Sequence, residues 1–124
     1  MKTANLEAKI EISQAMWEKL QLYSQLHDFY SPLLTDKQNT CFTMHYLEDM
    51  SLAEVGEALG ITPQAVADQV KRTVKVLRNY EDKLSLIQNW QERQEKIKLI
   101  ETELDNLSQN ENIQKIKQLL SEIS

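Results

Sequence analysis

Turn-forming residues are scarce, with two glycines and two prolines in 124 residues. An all-β sandwich or barrel needs turn signals at roughly 8–12-residue spacing. That class is excluded, and an all-α protein is expected. Cysteine is nearly absent: Cys41 alone allows no disulfide within the chain, and nothing points to an oxidising compartment. Long apolar runs are missing too, since none approaches the roughly 20 residues that cross a bilayer. The N-terminal segment sets Glu7, Lys9, Glu11 and Glu18 among its apolar residues, so it has no signal-peptide core. A soluble, cytoplasmic protein without membrane association is expected. Two glycines also leave no phosphate-cradling loop.

What remains is helix-forming, because Leu, Glu, Lys, Gln and Ala dominate throughout. Hydrophobic residues make up 41%, enough for a core, and the length suits a single helical domain over 1–124. The net charge of −5 is unevenly spread. Residues 62–80 set Asp68 against Lys71, Arg72, Lys75 and Arg78, for a net +3. Residues 1–30, 31–61 and 81–124 carry −1, −4 and −3. A strong non-specific nucleic-acid binder is basic overall. Any contact with phosphate here is therefore local.

Along the chain, Leu6, Ile10, Trp17, Leu20 and Tyr23 recur at three- to four-residue steps and predict a helix over 4–30, weakest at Ser13 and Gln14. Pro32 interrupts it and drives Ser31 out of the helical region. Thr35-Asp36-Lys37-Gln38 fits a capping box that opens a second helix, with Cys41, Phe42 and Tyr46 on its buried stripe. Glu48 and Asp49 lead out of it. Ser51-Leu52-Ala53-Glu54 is a second capping box, followed by an inner face of Leu52, Val55 and Leu59. Gly60 suits a left-handed helix end. Thr62 caps the next helix and Pro63 sits in its first turn, where a missing N–H costs nothing. Val66, Val70, Val74 and Leu77 continue the inner stripe. From 81 to about 107 the helical pattern resumes with Leu84, Ile87, Trp90, Ile97, Ile100, Leu104 and Leu107. A break is expected at Ser108-Gln109-Asn110. Ile113, Ile116, Leu120 and Ile123 then make a final amphipathic helix.

The segment 51–78 reads as a helix-turn-helix unit. Gly60-Ile61-Thr62 supplies a left-handed residue, a buried anchor and a cap in three positions, and Gly56 keeps the first helix slim where the second crosses it. In such units the second helix enters the major groove with its N-terminal residues at the bases. Here those are Gln64, Ala65, Asp68 and Gln69. Gln pairs bidentately with adenine, and Ala meets a thymine methyl. Lys71, Arg72 and Lys75, further along, suit phosphates. The same shape also serves protein contacts, and a polar helix face is often simply solvated.

The stretches TDKQ at 35–38, FYSPLLTDKQ at 29–38, YLEDMSLAEVGEALGI at 46–61 and QAVADQVKRTVKVLRNYEDKL at 64–84 resemble the YlxM-like family. Its members are small bacterial proteins similar to region four of sigma factors. The resemblance covers about residues 22–90. It implies an all-helical fold with a sigma-like helix-turn-helix; the long flanking amphipathic helices expected around this central unit come from the chain's own periodicity, and the extended N-terminal helix and the tail depart from the family. The resemblance also implies a link to the signal recognition particle pathway, because the family's genes neighbour those for that particle's GTPase and its receptor. Gln64, Ala65, Val66, Asp68, Lys71, Arg72 and Thr73 match the family's second helix. That helix usually opens with Ser-Arg, where this chain has Thr62-Pro63, and often carries Tyr at the place of Ala67.

Cys41, His45 and Asp49 share one helical spacing, with His27 as a fourth candidate. A structural zinc site wants four ligands, usually more Cys, so neither a metal nor another cofactor is expected. Thr40, Cys41 and His45 form no convincing triad, and the protein is expected not to be an enzyme. The stripe from Leu84 to Leu107 is longer than one small core covers. The first helix packs on it either within one chain or across a homodimer, and the dimer is expected. Two functions follow. One is a regulatory protein binding DNA through residues 62–75. The other is a protein- or RNA-binding accessory factor of the signal recognition particle, with its GTPase or its RNA as target. A helical scaffold whose only partner is itself is a third.

Overall fold

The computed structural model describes the backbone of residues 2–107 and 110–124 and the side chains of 6–107 and 110–124. The chain is all-α, with no strand among the described residues. Its helices are α1 (Lys2–Tyr30), α2 (Asp36–Phe42), α3 (Leu52–Leu59), α4 (Pro63–Leu84), α5 (Leu86–Asp105) and α6 (Glu111–Ile123). They fall into two compact units, Met1–Leu84 and Ser85–Ser124.

Local chemistry sets most boundaries in the first unit. α1 stops before Pro32, which sits in a short 3-10 turn, Ser31–Leu33. Both capping boxes form. The Gln38 amide donates to Thr35 Oγ1 at 3.2 Å, and the Thr35 amide donates to Gln38 Oε1 at 3.0 Å. The Glu54 amide donates to Ser51 Oγ at 3.1 Å, with the return bond from the Ser51 amide to Glu54 Oε1 at 3.4 Å. Between the two boxes the helix widens into a π turn, Thr43–Leu47, and Asp49 takes a left-handed conformation at φ 56°.

Gly60 ends α3 at φ 72°, and the Ile61 amide closes back on the Gly56 carbonyl at 2.9 Å. Gly56 is required by close approach: a Cβ there would lie 2.6 Å from the Ile61 carbonyl oxygen. Thr62 Oγ1 then accepts from the Ala65 amide at 3.1 Å and caps α4.

The core lies where α2, α3 and α4 meet. Cys41, Val55, Val66 and Val70 are buried there, with Leu52, Leu59 and Ile61 packed around them. An aromatic layer continues it along α1: Tyr23 sits edge-on to Tyr46 with centroids 4.9 Å apart, and His27 stacks on Phe42 at 5.4 Å. Tyr30 is fully buried and donates its hydroxyl to Glu81 Oε1 at 2.5 Å.

The expected stripe of the first helix is not one buried face. Tyr23 is buried, but Leu6, Ile10, Trp17 and Leu20 are 43–61% exposed. The residues that α1 buries are Tyr23, Leu26 and Tyr30. At about 100° per residue these lie roughly 130° around the helix from the outer four, so one core cannot serve both.

A second correction concerns the expected helix from 81. α4 runs on to Leu84, Ser85 turns left-handed at φ 52°, and α5 starts at Leu86. In the second unit Ile87, Ile97, Leu104 and Ile113 are buried, whereas Trp90, Ile100 and Leu107 stay exposed. Lys117 and Asp105 form an ion pair between α6 and α5. Of the expected break, residues 108 and 109 lie outside the described residues, and Asn110 caps α6 by accepting from the Ile113 amide at 3.0 Å.

Candidate nucleic-acid interface

α4 is held by its inner face. Val66 and Leu77 are fully buried, and Val70 and Val74 nearly so. Thr73 is buried among them, and its hydroxyl donates to the Gln69 carbonyl at 2.8 Å, so no polar atom is stranded. The short turn after α3 fixes where the helix begins.

With the valine stripe inward, helical periodicity turns the rest outward. Gln64, Ala65, Asp68, Lys71, Arg72 and Lys75 are all exposed, and Gln69 is half-buried at the margin. The six exposed residues are brought together on the face opposite the stripe, and Gln69 lies apart from them. Asp68 sits in the middle of this face, yet it forms no ion pair with Lys71 or Arg72. The three cations are therefore available to an outside anion. Arg78, also exposed, instead places its guanidinium 5.8 Å from the centre of the Tyr23 ring.

Three of the four residues considered for metal are engaged otherwise, and Asp49 is exposed. Cys41 is buried in the core, and burial pushes its thiol up, with Lys37 pulling weakly the other way. His45 Nδ1 lies 2.8 Å from the Met50 carbonyl, and His27 Nε2 lies 2.6 Å from Asn39 Oδ1. Among the described residues no three of His, Cys, Asp and Glu converge on a possible metal position. No described helix is long and apolar enough to cross a membrane.

Sequence reasoning did not single out Lys19, whose ammonium lies 5.5 Å from the Tyr23 ring centre. Nor did it foresee that Ala67 is half-buried beside the basic face. Lys19 stands on a different helix from the basic run, so no local pattern connects them.

Comparison with known proteins agrees with this geometry. A UPF0122 protein of Bacillus mycoides is 41% identical over 109 residues, which is 87% of this chain and 96% of that protein. UPF0122 proteins of Bacillus thuringiensis and Bacillus cereus are each 48% identical over 79 residues, 64% of this chain and 72% of theirs. Residues 16–119 match the profile of UPF0122, described as "Putative helix-turn-helix protein, YlxM / p13 like". A helix-turn-helix with its second helix facing outward, within a match that spans most of the sequence, places this chain in the YlxM / p13-like family.

Proposed function

We propose that this protein is a non-enzymatic, cytoplasmic regulator that binds duplex DNA through the outward face of α4. One observation carries this: Lys71, Arg72 and Lys75 stand exposed, and in no ion pair among the described residues, on the helix that a helix-turn-helix presents to the major groove. The rest of the surface is acidic, so phosphate is attracted to this face and repelled elsewhere. Lys71, Arg72 and Lys75 hold the backbone, while Gln64, Ala65 and Asp68 lie nearer the base edges and Gln69 stands at the margin. We take 1–124 as one functional domain and the working form as a homodimer. Its support is the apolar exposure of Leu6, Ile10, Trp17 and Leu20 along α1. Fluorescence anisotropy with promoter duplexes tests the DNA assignment: Lys71→Glu with Lys75→Glu is expected to abolish binding, and unchanged affinity rejects it.

A second reading is favoured by the helix tip. Thr62-Pro63 brings no cation to the first turn, and Asp68 opposes phosphate at the centre of the face. Both suit an accessory factor of the signal recognition particle that contacts its GTPase or RNA without reading DNA sequence. Binding to the purified GTPase, the particle's RNA and duplex DNA, measured side by side across salt, separates the two.

A further inference from the structure

Beside the basic face lies an open cavity of about 420 Å³, walled by Lys19, Tyr23, His45, Tyr46, Ala67 and Lys71 among others. Four features set it apart from ordinary surface relief. The π turn that carries His45 and Tyr46 forms one wall, and left-handed Asp49 borders the adjoining hollow. Widened helical turns and strained backbone recur at functional sites. The Tyr46 ring is braced by Tyr23, Phe42 and His45, with centroids 4.9, 5.2 and 4.8 Å away, so it is held in place. No hydrogen bond of its hydroxyl is found among the described residues, and burial pushes the phenol up. Lys19 and Lys71 stand on different helices at the rim, and neither is in an ion pair among the described residues.

A cavity that joins an aromatic wall to two ammonium groups from different helices suits a flat base and the phosphates that flank it. We propose that this cavity binds one unpaired nucleotide of a nucleic-acid strand, its base against Tyr46 and its flanking phosphates on Lys19 and Lys71. A base locked in a duplex cannot enter, so the ligand is single-stranded, bulged or at an end. RNA and DNA share this chemistry. Lys71 belongs both to the cavity rim and to the outward face of α4, so a strand held by that face has an extruded base within reach. The proposal deepens the nucleic-acid reading of α4, but it can fail or survive separately.

The test measures binding of RNA and DNA single-stranded hexamers, and of a blunt duplex, to the full chain. Lys19→Glu is expected to weaken single strands about tenfold and to leave the duplex unchanged. Lys75→Glu should do the reverse, and Lys71→Glu should weaken both. A 2-aminopurine placed in the hexamer should be quenched on binding, and Tyr46→Leu should abolish the quenching while circular dichroism shows the helices intact. Tighter binding of RNA assigns the source to RNA, and equal binding assigns it to either strand type. Single-strand affinity indifferent to Lys19→Glu, or no quenching by the unaltered protein, overturns the proposal. Loss of duplex binding alone would sink the DNA reading and leave this one standing.

Discussion

The two faces of α4 obey different rules. On the inner face, Val66, Val70, Val74 and Leu77 are locked by volume, since each fills space between other helices. On the outer face, Lys71, Arg72 and Lys75 are exposed and in no ion pair among the described residues, so their charge and reach matter more than their volume. One helix thus carries two separable kinds of information. Fold variants and binding variants of α4 should form nearly disjoint sets.

The largest effect should come from the inner face. Leu77→Ala removes a fully buried side chain and is expected to cost about 2–5 kcal/mol in chemical denaturation. Gly56→Ala tests the crossing that aims α4. The added Cβ meets the Ile61 carbonyl oxygen, a backbone atom, and should destabilise by about 1–3 kcal/mol. Ser51→Ala removes one side of the second capping box, which holds the start of α3, and should lower stability by about 1 kcal/mol. The smallest effect belongs to the outer face: Lys75→Gln should change stability by less than about 0.5 kcal/mol. If it cost as much as Leu77→Ala, the contrast between the two faces would be lost.

What the sequence reveals follows the same division. Caps and turns are legible because they are local: Thr35 and Gln38, Ser51 and Glu54, and Gly60 each announce themselves within four residues. The valine stripe is legible because periodicity and burial coincide on α4. Three features are not legible. The left-handed turn at Ser85 uses neither Gly nor Pro, so no residue marks it. The apolar pattern of α1 continues past Tyr23 toward the N-terminus, but the buried face does not, because burial depends on which neighbour lies opposite. The cavity beside Lys71 joins α1, the π turn and α4, and residues so far apart in the chain share no spacing rule. The outward exposure of the candidate interface was readable from the stripe beneath it. Its ligand is a matter of charge and shape that the helix pattern alone does not specify.

The most direct measurement of the central claim is duplex affinity across a salt series, for the unaltered chain and for Lys71→Glu with Lys75→Glu. Three phosphate contacts from Lys71, Arg72 and Lys75 imply a log–log slope of about −2.7. In the charge-reversed protein, binding should vanish, with its unfolding midpoint unmoved. Equal affinity and equal slope in the two proteins would mean that the outer face of α4 does not hold the phosphates.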